Sequence, residues 1–276
     1  MRTYRTGRGV GWVAALICGL GLVAASACGD DSLAPSDQSK QESDDGAAGL
    51  PDFATLRAAL IEAQQEENGG LGFDMWGTVV DRTGTVVAVA FTGDNVGDQW
   101  PASRVISAQK ANTANSLSLP GFALSTANLY SATQPGGSLF GLQFSNPVDP
   151  AVAYCGETSS YGTTSDCMVG NKIGGVNVFG GGVALYSQDG TLLVALGVSG
   201  DLSCADHNIA WKTRDKLGLD FVPAGVADEG ADDNIVYDIT DGSSAGGFGH
   251  PVCNEETKSI GEQLPETNPI GTAGPG

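Results

Sequence analysis

Met75-Trp76-Gly77-Thr78-Val79-Val80, the turn Asp81-Arg82-Thr83-Gly84, and Thr85-Val86-Val87-Ala88-Val89-Ala90-Phe91 decide the fold. The pattern returns about a hundred residues later. Val183-Ala184-Leu185-Tyr186 leads through Ser187-Gln188-Asp189-Gly190 into Thr191-Leu192-Leu193-Val194-Ala195-Leu196-Gly197-Val198. In both, a turn ending in Gly is followed by Thr and an apolar run rich in β-branched residues, which is a hairpin signal. The two ribbons are expected to be antiparallel strands of one central sheet in an α+β single domain with flanking helices.

Helical periodicity flanks the ribbons. Phe53, Leu56, Leu60 and Ile61 recur at helical spacing, and Asn68-Gly69-Gly70 stops them. Trp100 to Leu117 carries Val105, Ala108, Ala111 and Asn115, with Leu119-Pro120-Gly121 as its stop. A further helix is expected over Phe122 to Ala132. After the second ribbon, Ser203-Cys204-Ala205-Asp206 resembles a capping box. Ile209, Ala210, Arg214 and Leu217 continue that helix, and Gly218 suits its C-terminal cap. Beyond Phe221 the chain is rich in Gly, Pro and Asp. It is expected to wrap loosely on the domain and to fray from Thr257 onward.

The N-terminus reads as an export signal. Arg2, Arg5 and Arg8 precede a mostly apolar run from Val10 to Ala27, closed by the small residues Ala25-Ser26-Ala27. Gly11, Gly19 and Gly21 interrupt that run, which argues against a retained transmembrane helix. Cys28 follows directly and resembles the lipid-anchor position of bacterial lipoproteins, with Ala25 where Leu is usual. An ordinary signal peptide cut at the same bond is the alternative. Residues 1–27 are therefore read as the signal and 28–50 as an acidic, solvated tether. A domain is expected over 51–220, with a tail over 221–276 tied by Cys253.

Cysteine parity favours the anchor. Cys18 leaves with the signal. If Cys28 carries lipid, Cys155, Cys167, Cys204 and Cys253 remain, an even set able to pair in an oxidising compartment. Four cysteines allow three pairings. Cys155–Cys167 would close a short local loop, and Cys204–Cys253 would pin the tail. A zinc site of all four is the alternative, but no C-x-x-C spacing supports it.

The formal net charge is −19. Losing Arg2, Arg5 and Arg8 from the 13 basic residues leaves 10 against 32 acidic ones, a net of −22. Such a chain repels nucleic acid and anionic lipid, so contact with a membrane is expected through the anchor alone.

Few residues offer chemistry. With only His207 and His250, a His-rich metal centre is excluded. Gly242-Ser243-Ser244-Ala245-Gly246 has the letters of a nucleophile elbow without a clear strand before it or helix after it, and reads as a turn. Gly180-Gly181-Gly182 lacks a phosphate-loop lysine and reads as a hairpin run. Asp228, Glu229, Asp232, Asp233, Asp238 and Asp241 read as a solvated acidic loop, because the calcium-loop spacing is missing. His207, early in a helix beside Asp206, is either an iron ligand oriented by that carboxylate or a satisfied helix histidine. His250, beside Phe248-Gly249 and Pro251, reads as a satisfied histidine.

An ordered set of segments resembles the GlcG/HbpS-like haem-binding family. Asp81-Arg82-Thr83-Gly84-Thr85-Val86-Val87 resembles its first hairpin. Ala108-Gln109-Lys110-Ala111-Asn112-Thr113-Ala114 is similar to its Lys-Ala-x-Thr-Ala helix, and Gln134-Pro135-Gly136-Gly137-Ser138-Leu139-Phe140-Gly141 to its proline-glycine-glycine loop. Phe179-Gly180-Gly181-Gly182-Val183-Ala184-Leu185 and Gly197-Val198-Ser199-Gly200 resemble its later hairpin. The likeness runs from about Pro51 to Leu217. It is broken by an insertion over about 144–171 and extended by the tail.

The resemblance implies a profilin-like fold, homo-oligomers, and haem as cofactor. A porphyrin would lie against Phe140, Phe179, Gly180 and Gly181. Lys110 would face a propionate, and His207, Tyr130 or Thr113 would approach the iron. The expected function is an extracytoplasmic haem-binding lipoprotein of the cell envelope. A surface interaction module that has lost the ligand is the second reading. A haem-degrading oxidoreductase is the third, since the sequence presents no defensible catalytic set.

Overall fold

The computed structural model describes residues 49–272. The signal, Cys28 and nearly all of the tether lie outside them. The elements run α1 (Phe53–Gln64), β1 (Trp76–Asp81), β2 (Val86–Phe91), α2 (Ser103–Leu117), three single turns α3 (Tyr130–Thr133), α4 (Leu142–Ser145) and α5 (Pro150–Ala153), β3 (Gly182–Tyr186), β4 (Leu192–Ser199), α6 (Ser203–Lys216), a two-residue ribbon β5 (Ile239–Thr240) and β6 (Ser243–Ser244), and α7 (Glu255–Thr267).

Both expected ribbons form, and they share one antiparallel sheet of order β2-β1-β4-β3. The turn chemistry explains their similarity. Asp81 Oδ1 accepts the Thr83 and Thr85 amides, and Gly84 closes the turn at φ +82°. Asp189 Oδ1 accepts the Thr191 amide, and Gly190 closes the second turn at φ +79°. Glycine reaches that left-handed region without a Cβ penalty.

The sheet is apolar on both faces, which is why its strands read as runs rather than alternations. On one face Val79, Ala90, Val183, Leu196 and Val198 pack with Leu56 and Leu60 of α1 and Ile209 of α6. On the other, Trp76, Val80, Val89 and Ala195 meet Val105, Ala108 and Ala111 of α2. The insertion caps that second face with Ala153 and Met168, and Ile173 follows just after it. Its anchor is a buried ion pair: Arg104 of α2 grips Asp166 and also donates to the Ala153 carbonyl.

Both favoured disulfides are present, Cys155–Cys167 and Cys204–Cys253. Several local expectations need correction. Phe122 to Ala132 is not one helix: Leu119 bridges to Phe122, and only Thr126–Leu129 and α3 turn helically. Asp206 does not box the start of α6, which has no side-chain cap; its carboxylate turns to Lys110 and to the Gly200 and Asp201 amides.

The tail does not fray at Thr257. Asn254 caps α7 in a reciprocal box with Thr257, and Thr257, Gly261 and Leu264 are buried. Polar contacts tie the helix and the residue after it to the domain. Asn208 Nδ2 donates to the Thr257 carbonyl, and Trp211 Nε1 to that of Asn268. The acidic loop is only partly solvated, for Asp233 is buried against Arg214 and Asp232 is buried accepting the Asn234 amide. Among the described residues no helix is long and apolar enough to cross a membrane.

Candidate ligand-binding site

An open cavity near the expected site residues lies between two loops. One is the Gln134–Gly141 loop and the other the β5–β6 ribbon of the tail. It encloses about 660 Å³, lined by Tyr130, Gln134, Pro135, Gly136, Ser243, Ser244 and Pro251 among others. That falls within the roughly 300–1,000 Å³ of small-molecule pockets. A Cβ at Gly136, Gly242 or Gly247 would meet nothing within 4 Å, so this rim is open.

Each wall has a local cause. Leu139 N donates to the Ala132 carbonyl, folding the proline-glycine-glycine loop back on α3. Ser131 Oγ donates to the Gly249 carbonyl, joining α3 to the tail. Ser244 Oγ accepts the Gly247 and Gly249 amides, so the Gly-x-Ser-x-Gly letters build a turn and no helix follows. Cys253 then fastens this segment to α6.

Tyr130 stands at the inner end of the cleft. Its ring lies 6.1 Å from that of Phe179 and 5.3 Å from that of His250. His250 Nε2 is 3.4 Å from the Gly180 amide and from Ser203 Oγ, and Nδ1 is 2.8 Å from the Pro251 carbonyl. Burial holds this histidine neutral, pushing its pKa down to about 4 against the Pro251 hydrogen bond. Outside the cleft, Phe140 and Phe179 keep about half of their surface exposed, and Phe144 keeps 81%.

The structure thus brings Tyr130 and Phe179 together and leaves Phe140 on the loop beside them. It moves the other expected contacts elsewhere. A Cβ at Gly180 would run into the Ser203 carbonyl and one at Gly181 into that of Val198, so these glycines close chain against chain rather than admit a flat ligand. Lys110 does not face solvent. Its Nζ is buried 2.7 Å from Asp206 and 3.0 Å from the Val198 carbonyl. Thr113 Oγ1 is buried, donating to the Gln109 carbonyl and accepting the Asn177 amide.

His207 is completely buried, with Nε2 3.1 Å from Asn234 Oδ1 and from the Ile235 amide. Burial pushes it down to about 3. It is the helix histidine of the core and cannot meet a ligand without local opening, while Asp206 beside it pairs with Lys110 instead of orienting it. The histidine nearest the cleft is His250. Its neighbours in sequence gave no sign of this, because Tyr130, Ser203 and Gly180 reach it only through the fold.

Cleft and sheet define an α+β protein with a surface pocket built partly from its own tail. The chain belongs to the HbpS-like haem-degrading protein family, whose model matches residues 52–214. No curated protein matches. Three solved structures are similar. A PduOC–heme complex is 25% identical, covering 61% of this chain and 94% of its own, with a TM-score of 0.42. Protein ORFY of Klebsiella pneumoniae is 25% identical over 60% and 87%, with a TM-score of 0.39. A double mutant of HbpS from Streptomyces reticuli is 17% identical over 70% and 96%, with a TM-score of 0.36.

Proposed function

We propose that the protein binds haem in this cleft and does so outside the cytoplasm, held by lipid on Cys28. Family membership supports the ligand, and the grouping of Tyr130, Phe179 and His250 beside an open cavity carries its placement. The residues fit the group in kind. Aromatic rings suit a flat apolar face, and Tyr130, which lines the cavity, is the donor within reach, with His250 buried behind its ring. Gln134, Ser243 and Ser244 offer neutral hydrogen-bond partners to carboxylates. Haem, when bound, supplies redox chemistry at its iron.

The protein's part is to hold the ring and exclude water from one side. The cavity lining contains no carboxylate, lysine or histidine, and Tyr130 is its one ionisable side chain. So sparse a set supports carriage or storage ahead of degradation. Two disulfides fit an oxidising compartment, and the leader supplies the route there.

Titrating the full domain with haemin should shift the Soret band at one equivalent. Tyr130→Ala and His250→Ala should each weaken binding about tenfold or more. No shift in the wild type would rule out haem, and a shift unchanged in both variants would rule out this cleft. For the anchor, mass spectrometry of the mature N-terminus should find Cys28 carrying diacylglycerol. An unmodified Cys28 start would refute it.

A further inference from the structure

We propose that Cys204, Cys253 and His250 form a latent site for zinc, opened by reduction of the disulfide. One ligand atom from each of the three lies within 4.8 Å of the other two, and Cys204 and His250 are buried. His250 Nδ1 is 3.8 Å from Cys204 Sγ, and Ser203 Oγ is 3.5 Å from Cys253 Sγ. Two sulfurs and one imidazole are a zinc donor set with one position open to water. Nothing in this depends on haem.

The route in follows from exposure and from the helix. Cys204 is buried while Cys253 is partly exposed, so an attacking thiolate of a dithiol meets the Cys253 sulfur. It forms a mixed disulfide there and expels Cys204 as thiolate. The dithiol's second sulfur then closes on the first and releases Cys253. Two electrons pass from the dithiol, which ends as a disulfide, and the two cysteines end reduced.

Cys204 lies in the first turn of the 14-residue α6, where the positive end of the helix dipole favours a thiolate. The Cys204 amide already points at Cys253 Sγ, 3.2 Å away. Zinc displaces one proton from each thiol to solvent. Nδ1 gives up the Pro251 carbonyl as the imidazole proton shifts to Nε2, which then loses the Gly180 amide and donates to Ser203 Oγ. That hydroxyl would then orient the ligating ring. The metal would staple the tail to α6 where the disulfide had done so, and the β5–β6 wall of the cleft would stay in place.

The test uses the domain carrying Cys155→Ser and Cys167→Ser, so that one cysteine pair remains. It is reduced with a phosphine, freed of reductant, and titrated with Zn²⁺ under native mass spectrometry and chelator competition. The reduced chain should take one zinc, and the oxidised chain none at the same concentration. Its thermal midpoint should rise with zinc only when reduced.

His250→Ala should weaken binding by tenfold or more, and Cys204→Ser with Cys253→Ser should abolish it. Cobalt in place of zinc should give a sulfur-to-metal charge-transfer band that the cysteine variant lacks. A reduced chain that takes no zinc would overturn the proposal, whether folded or not. So would equal affinity in the wild type and His250→Ala.

Discussion

Lys110→Met should lower the stability of the domain by about 3–5 kcal/mol at pH 7, because it strands a buried carboxylate. Lys110 Nζ and Asp206 Oδ2 are 2.7 Å apart, and each side chain is 3% exposed or less. Burial pushes the lysine pKa down and raises Asp206 to about 6, against the attraction between them. Both ions remain at neutral pH only because each has the other. The carboxylate also holds the Gly200 and Asp201 amides, so losing its partner disturbs the exit from β4 and the entry to α6 together. Asp206→Asn should cost a similar amount, leaving the cation alone. The double replacement Lys110→Met with Asp206→Asn should cost clearly less than the two single costs added, since neither ion is left unpaired. Urea unfolding of the four proteins measures this. A single change costing under about 1 kcal/mol would show that the pair is not ionised in the fold.

That pair marks the boundary of what local sequence could reveal. Lys110 lay in a recognisable helix pattern, and the family resemblance placed its side chain at a ligand propionate. Only the closing of α2 over β4 and α6 buries it, through contacts across 88 residues to Val198 and 96 to Asp206. The strands were legible for the opposite reason: each ribbon is closed by its own Asp and Gly turn, a local device. Helix α7 could have been read from Asn254 and Thr257, whose capping box is local too. The surrounding Gly261 and Pro265 masked it, because the buried face is made of Thr257, Gly261 and a single large apolar residue, Leu264, which is too few for an apolar periodicity. The cleft was half legible. Tyr130 and Phe179 meet, but His250 reaches them through the tail, whose path is set by Cys253 and by hydrogen bonds such as that from Ser131 to Gly249. His207 had the more suggestive neighbours and lies in the core.

Gly197→Ala tests the same closing of helix on sheet from the strand side, and is expected to cost about 3 kcal/mol or more, with a fall in soluble yield. A methyl group at Gly197 would collide with the Ser107 carbonyl and the Ala111 amide of α2, and would lie 3.0 Å from Lys110 Cβ. The first two are helix backbone, so neither can rotate away. Relief requires α2 to lift from β4, and α2 is held by its packing on β1 and by the grip of its Arg104 on Asp166 of the insertion. Lifting it would also draw Lys110 away from the Val198 carbonyl and from Asp206. The steric cost and the ion-pair cost are therefore coupled, and Gly197→Ala combined with Lys110→Met should fall short of additivity. Gly121→Ala is the matched control. Its Cβ would meet nothing within 4 Å, so it should change stability by less than about 0.5 kcal/mol. If Gly197→Ala unfolds at the same denaturant concentration as Gly121→Ala, α2 does not seat on β4 as closely as described. Lys110 would then be free to reach solvent and a ligand at the surface.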